Sequence, residues 1–357
     1  MSGASAAGGA GVEGVLGAAM AAEIGETPAV VDAALAAAGE WTAALREALP
    51  VPLRGVALTA RGSSDHAAAY GRVLLEQALG VPAWSTAPSI ATRYGLATRL
   101  DGVLAIAVSQ SGATPEIVTA LERQRAGGAV TMAITNDPGS ALALAADAVA
   151  PLGAGVETAV PATKTFTATL LAFALAAAAV DRSGVVPLDA AAVSSAVRAC
   201  IEDEPAVLPL AAALASADVC VHLGRGPLLP VAREAALKLI ETTGTAQLAW
   251  STVDVRHGPL ALARPDRPVV LQHARGPVSD DAREVVALLA ERGVPVHVVG
   301  DPLDSDGLHI PVPGDLPEHL RPLVHAVRLQ QLSLAVARAR GIDPDHPAGL
   351  SKVTATA

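Results

Sequence analysis

The chain has 357 residues, 51% of them hydrophobic and 17% charged, which provides apolar area for more than one core and excludes global disorder. A formal net charge of −10 with only two Phe, two Tyr and three Trp excludes a cationic, base-stacking nucleic-acid surface. A phosphorylated small ligand stays possible, because local amides and hydroxyls can hold one without net positive charge.

The first residues, MSGASAAGGAGVEG, carry no basic start, so residues 1–17 read as a disordered tail and not as a signal peptide. Residues 18–49 read as mainly helical, with Pro28 in a first helical turn and a stop before Pro50. A strand-and-helix rhythm follows. Residues 56–60 form a short apolar strand, then the loop Arg61-Gly-Ser-Ser-Asp65 and a helix through Leu79. Residues 103–108 form a second strand, followed by the loop Ser109-Gln-Ser-Gly-Ala-Thr-Pro115 and a helix from Glu116 to about Ala126. Residues 129–134 form a third, ending in the turn Asn136-Asp-Pro-Gly139. The longest apolar stretch, residues 166–180, is shorter than the ~20 residues of a membrane span and reads as a buried helix, so no membrane partner is expected.

The pattern recurs. Strands are expected at 217–223, 268–272 and 294–299, with helices running through Glu241 and from Ser279 to Arg292. The third strand of each half ends alike, in Ile134-Thr-Asn-Asp-Pro138 and in Val298-Val-Gly-Asp-Pro302, which implies a diverged duplication. The expected fold class is α/β: two tandem units of mostly parallel, doubly wound sheet flanked by helices. The units are residues 18–185 and 186–345, joined by a linker near 181–187, with a C-terminal segment at 346–357.

Two cysteines, Cys200 and Cys220, have no metal-ligand spacing and give no disulfide framework. This fits a cytoplasmic protein with no metal site.

Three hydroxyl side chains sit in the loop 109–114, between a buried strand and a helix start. Free N–H groups at that start, a flexible Gly112 and Pro115 in the first turn make a neutral cradle for phosphate. An ordinary helix-capping loop has the same composition. It is neither a Walker loop nor a dinucleotide fingerprint. On the helix 233–241, Lys238 and Glu241 stand three apart on one face. They could form a tuned acid–base pair or a surface salt bridge. His257 lies in the turn Arg256-His-Gly-Pro259 and titrates near neutrality. It is a proton carrier or a solvated loop residue. Lys352, near the end of the chain, is a catalytic amine or a solvated one.

Taken together, Ala60-Arg-Gly-Ser-Ser-Asp-His-Ala67, the loop 109–114, Ala162-Thr-Lys-Thr-Phe166, Arg233-Glu-Ala-Ala-Leu-Lys-Leu-Ile-Glu241, Val255-Arg-His-Gly-Pro259 and Leu350-Ser-Lys-Val-Thr354 resemble the sugar-isomerase (SIS) domain family, in the family's order. Within it the chain resembles the isomerase half of glucosamine-6-phosphate synthase and, more closely, the stand-alone glucosamine-6-phosphate deaminases with two SIS domains. The resemblance implies tandem flavodoxin-like SIS domains. It implies that Ser64, Ser109, Gln110, Ser111 and Thr114 contact the sugar phosphate, with Val160 and Ala162 lining the same pocket. Ala162 stands where relatives commonly have Ser. Glu241 would carry a proton between C1 and C2, Lys238 would be its electrostatic neighbour, and Lys352 would close over the sugar from the C-terminal segment. His257 would open the ring, commonly across a subunit interface, which implies a homodimer with a shared site. The segment Thr242-Thr-Gly-Thr-Ala-Gln-Leu-Ala-Trp250 departs from the family, with Gln247 in place of a carboxylate.

The loop of the second half, Leu271-Gln-His-Ala-Arg-Gly276, lacks the serines, so one phosphate site is expected per chain. Glutamine-dependent transfer needs an N-terminal cysteine nucleophile. The sequence begins Met-Ser-Gly and its first cysteine is Cys200. The expected reaction is therefore cofactor-free deamination of glucosamine 6-phosphate to fructose 6-phosphate and ammonia. The alternatives are isomerisation or deglycation of a related sugar phosphate, an aminotransferase-type isomerase fed with ammonia from elsewhere, and a non-catalytic phosphosugar sensor.

Overall fold

The computed structural model describes residues 15–352. Residues 1–14 of the expected tail, and 353–357, lie outside the described residues. The chain opens with helices α1 (Ala18–Gly25) and α2 (Thr27–Ala48), the second carrying Pro28 in its first turn as expected. Then follow β1 (Gly55–Thr59), α3 (Ser63–Leu79), β2 (Ala83–Ser85), α4 (Pro88–Thr92), β3 (Val103–Val108), α5 (Pro115–Ala126), β4 (Val130–Thr135), α6 (Ala141–Ala145), β5 (Ala148–Pro151) and α7 (Lys164–Val180). After a loop at 181–189 come α8 (Ala190–Glu202), α9 (Leu208–Leu214), β6 (Val219–Gly224), α10 (Leu229–Thr243), β7 (Ala246–Ser251), β8 (Val269–His273), α11 (Ser279–Ala290), β9 (Val296–Gly300), β10 (His309–Ile310) and α12 (Arg321–Ala339).

The strands make two five-stranded sheets, all parallel, in the orders β2-β1-β3-β4-β5 and β7-β6-β8-β9-β10. Both follow the flavodoxin-like order 2-1-3-4-5. The chain is thus α/β with two parallel sheets flanked by helices. The two Asp-Pro turns follow β4 and β9, the fourth strand of each order.

The sequence gives three strands per half, and the structure adds β2, β5, β7 and β10. All four are sheet edges. An edge strand is covered on fewer sides, so it needs no continuous apolar run. β10 is two residues long, and five of the six residues of β7 are half-buried or exposed. The strands recognised from sequence are the buried ones, β1 and β3 at every position.

Fourteen of the seventeen residues of α7 are buried, which is why the stretch 166–180 is apolar all round. Among the described residues no helix is long and apolar enough to cross a membrane. α12 is buried at sixteen of nineteen positions, two of them arginines. Each guanidinium is paired: Arg328 with Asp203 at 2.9 Å and the Pro311 carbonyl at 3.0 Å, Arg321 with Asp301 at 3.0 Å and the Val312 carbonyl at 3.1 Å. Buried charges persist only when so satisfied. The largest apolar cluster runs from Val30 through Phe173 to Val299 and Val336, joining residues from both sheets.

Candidate active site

In the first sheet the strand order reverses between β1 and β3, and their carboxyl ends open on a common crevice, the usual ligand position in such sheets. The turn after β1 leads into α3, the turn after β3 into α5, and the loop after β5 into α7. None of these helices has a side-chain hydrogen bond at its N-cap. Their first turns, through Ser63, Ser64, Thr114 and Thr165, line one cavity of about 390 Å³. The partly positive starts of α3 and α5, and the start of α7, which the Glu157 carboxylate caps through Thr165 N, therefore border a space that holds Ser64, Ser109, Gln110, Ser111 and Thr114.

The turn after β3 is pinned from behind. The Gln110 carbonyl accepts from Asn136 N at 3.0 Å, and the Gly112 carbonyl accepts from Leu142 N at 3.0 Å. Ser109 Oγ and Thr114 Oγ1 are 3.2 Å apart, and Ser111 Oγ accepts from Ala113 N at 3.3 Å. Gly112 has φ +61°, and a Cβ there would lie 2.0 Å from Ser140 Oγ and 2.8 Å from Thr135 Oγ1. Gly112→Ala is expected to destabilise the fold by roughly 1–3 kcal/mol and weaken binding of inorganic phosphate at least about tenfold. Calorimetric titration checks this; an unchanged Kd would show that the turn does not hold the anion.

The opposite wall comes from the second half of the chain. α10 brings Lys238 and Glu241 to the cavity, and Lys352 arrives on the C-terminal segment beside Leu350 and Ser351. The Lys238 side chain is 2% exposed and forms an ion pair with Glu241. Its ammonium also lies 3.4 Å from Glu234 Oε1, and Glu234 Oε2 is 2.7 Å from His66 Nδ1. A row thus runs from His66 through Glu234 and Lys238 to Glu241. Burial pushes the Glu241 carboxyl up, and Lys238 offsets this only in part, so Glu241 titrates above its ordinary value. Glu234 is held below its ordinary value: burial opposes this, but Lys238 and His66 outweigh burial. A surface salt bridge is therefore not what the i,i+3 spacing encodes.

Lys352 Nζ lies 2.6 Å from Glu157 Oε2. Glu157 is buried, and it accepts from Thr163 N at 3.0 Å, Thr163 Oγ1 at 3.1 Å, Thr165 N at 3.1 Å and Thr165 Oγ1 at 2.7 Å. Burial works to raise its pKa, but Lys352 and these donors outweigh it and hold the carboxylate ionised. Glu157, Glu234 and His66 were not among the expected functional residues. Glu157 is the single acidic residue between Asp147 and Asp181. An isolated carboxylate in so apolar a stretch was the available signal.

Val160 and Ala162 also line the cavity. His257 does not. It ends a short 3-10 turn after β7, exposed to solvent, and is absent from the lining of this chain's own cavity. Gln247 pairs with the buried His222 at 2.9 Å, on the edge strand of the other sheet, so that departure lies away from the cleft. Among the described residues no cluster of His, Cys, Asp and Glu could hold a metal ion. A larger cavity, about 770 Å³, runs along α11 past Arg275 and Arg283 and the acids Asp280, Asp304 and Asp306. Its charges are of mixed sign and it lacks the hydroxyl-rich turn that lines the smaller cavity.

The SIS domain model matches residues 54–179. A glutamine–fructose-6-phosphate aminotransferase (isomerizing) from Methanothermobacter thermautotrophicus is 33% identical over 92% of this chain and 56% of its own length. The chain thus spans about half the length of the curated relatives it matches. A solved structure assigned as a phosphosugar isomerase from Silicibacter pomeroyi is 31% identical, with a TM-score of 0.77, over 92% of this chain and all of that one. The glucosamine-6-phosphate deaminase structure from Thermotoga maritima is 25% identical, with a TM-score of 0.76, over 95% of this chain and all of that one. Sheet order, cleft and relatives place the chain in the phosphosugar-isomerase class of α/β proteins. It belongs to the SIS-domain family.

Proposed function

We propose that this chain is a phosphosugar enzyme that deaminates glucosamine 6-phosphate to fructose 6-phosphate and ammonia. The observation that carries the reading is the two-ended cleft, with a hydroxyl-rich anion cradle facing the buried Lys238–Glu241 pair. The phosphoryl group sits against Ser64, Ser109, Gln110, Ser111 and Thr114, where neutral donors and helix starts match a dianion. The sugar then extends toward Glu241, past Val160 and Ala162.

The open-chain aldehyde loses the C2 proton to Glu241, giving an enolamine. The same carboxyl returns a proton to C1, leaving an imine at C2. Water adds to C2, ammonia departs, and the ketone remains. A carboxyl with a raised pKa suits both halves of this shuttle. Lys238 and Lys352 stabilise the negative charge that develops on the enol oxygen. No cofactor takes part.

The reading extends to the assembly and the chain's organisation. His257 opens the ring in the site of a partner subunit, within a homodimer. Residues 18–185 and 186–345 are two tandem SIS domains, with the connecting loop near 181–187. The site of action is the cytoplasm.

The deaminase reading is supported by the likeness to the Thermotoga deaminase, 25% identical over 95% of this chain. A second reading, isomerisation of a phosphosugar without loss of nitrogen, is favoured by the 31% identical Silicibacter protein. Incubation with glucosamine 6-phosphate, assayed for both ammonia and fructose 6-phosphate, separates them. Equal release of the two products supports deamination. Ketose formation from a non-amino aldose phosphate, with no ammonia from the amino sugar, overturns it.

A further inference from the structure

Helix α1 touches both segments that deliver Glu157 and Lys352 to the cleft. At its start, the N–H of Gly17 donates to Asp343 Oδ1 at 2.9 Å, that of Ala19 to Asp345 Oδ2 at 2.7 Å, and that of Met20 to Asp345 Oδ1 at 2.9 Å. These are the donors that a helix start leaves without partners. Two carboxylates from more than three hundred residues away cap them, at the end where the helix dipole favours negative charge. Arg338 adds a bond to the Leu16 carbonyl at 2.9 Å. Gly17 has φ +67°, and a Cβ there would stand 2.7 Å from Pro344 Cγ. The C-terminal segment is therefore pressed against the helix start, seven residues before Lys352.

The other end of the helix holds the Glu157 loop. Glu23, 5% exposed, accepts from Thr158 N, from Thr158 Oγ1 at 3.0 Å and from Ala159 N at 3.1 Å. Thr158 directly follows Glu157. Glu26, at the junction of α1 and α2, forms an ion pair with the buried Lys164, the first residue of α7. One short helix thus grips the two segments whose side chains meet as Lys352 and Glu157.

We propose that α1 is a positioning clamp, with Asp345 and Glu23 as its positioning residues, that sets the Lys352 ammonium against Glu157 at the mouth of the cleft. Its catalytic consequence rests on the proposed function; the clamp itself does not. Neither residue lines the cavity, so each acts through the segment it holds.

The sequence permits a test that does not depend on turnover. The chain has three lysines, and Lys164 and Lys238 have side chains only 2% exposed. Lys352, 20% exposed, is the ε-amine open to an acylating reagent. Asp345→Ala is expected to raise the rate of Lys352 acetylation, followed by mass spectrometry, about tenfold, the loss typical of a removed cap. Glu23→Ala, which removes the oxygen that accepts all three bonds, acts the same way from the other end. Asp345→Asn, which keeps an acceptor, restores the slow rate in part. Asp218→Ala, on the surface beside Arg340, leaves labelling unchanged.

If the proposed reaction also holds, kcat for glucosamine 6-phosphate falls with the clamp while the affinity for inorganic phosphate does not. Faster labelling in an enzyme inactive on glucosamine 6-phosphate keeps the clamp and overturns the reaction. Unchanged labelling in both Asp345→Ala and Glu23→Ala overturns the clamp, whatever the turnover. Should Asp345→Ala fail to fold, Glu23→Ala and Asp345→Asn decide the matter alone.

Discussion

Glu241→Gln is expected to lower kcat on glucosamine 6-phosphate by about 10³-fold, the scale of a lost general acid–base, while leaving phosphosugar affinity within a few fold. Gln fills the same space but neither takes the C2 proton nor returns one to C1. The raised pKa of Glu241 means that burial disfavours its ionised form, so a neutral isostere removes a cost of folding. Activity should be lost without loss of stability, which separates this variant from one that merely unfolds. In the wild type, kcat/KM should fall as pH drops through the Glu241 pKa, above the ordinary carboxylate value, and the residual rate of the variant should lack that limb. A variant turning over at a near-normal rate would remove Glu241 from the mechanism.

Lys238→Met should be the most destabilising substitution in the cleft, costing about 3–5 kcal/mol at neutral pH. The reason is what stays behind. Glu234, with a side chain 4% exposed, keeps His66 but loses the ammonium 3.4 Å away, and Glu241 loses its ion-pair partner.

The pH dependence follows from the directions of the shifts. Burial works to lower the Lys238 pKa, but Glu234 and Glu241 outweigh it and raise it, so its contribution is fully present at neutral pH and is lost only as pH rises through that raised value. Glu234 is held low, so its contribution is present above the ordinary carboxylate value and is lost as pH falls through the lowered one. The penalty of Lys238→Met should therefore be largest near pH 7 and shrink in acid, where the orphaned carboxylates take up protons. Urea unfolding of both proteins at several pH values measures it. Equal midpoints at pH 7 would show that the ammonium does not hold the carboxylates in place.

Much of this site was legible because its chemistry uses residue types that stand out locally. The turn 109–114 combines three hydroxyls with a glycine between a buried strand and a helix start, and the cavity lies there. The buried strands were legible because each is an apolar run of five or six residues, whereas the edge strands β2, β7 and β10 carry no such run and β5 is only the four residues Ala148-Val-Ala-Pro151.

Glu157, Glu234 and His66 were missed for a different reason. Their roles depend on which distant segments the fold brings together, as when His66 on α3 meets Glu234 on α10 across 168 positions. The scarcity of lysine was a usable clue. Only three of the twenty-five Lys and Arg residues are Lys, and all three form ion pairs in or beside the cleft. The exposed position of His257 had no counterpart in the sequence, since a turn of the form Arg-His-Gly-Pro does not say which cavity it faces.

On the proposed reading the cleft takes its two walls from different lengths of chain: the anion cradle from residues 61–114, the proton-moving groups from α10 and the C-terminal segment. Grip and reaction are thereby separable under mutation. Drift in the early loops can retune which phosphorylated sugar is admitted and leave the fate of its first two carbons untouched, and substitutions along α10 can redirect that fate without loosening the hold. Diversification by halves is open to such an architecture and closed to one in which a single loop does both jobs.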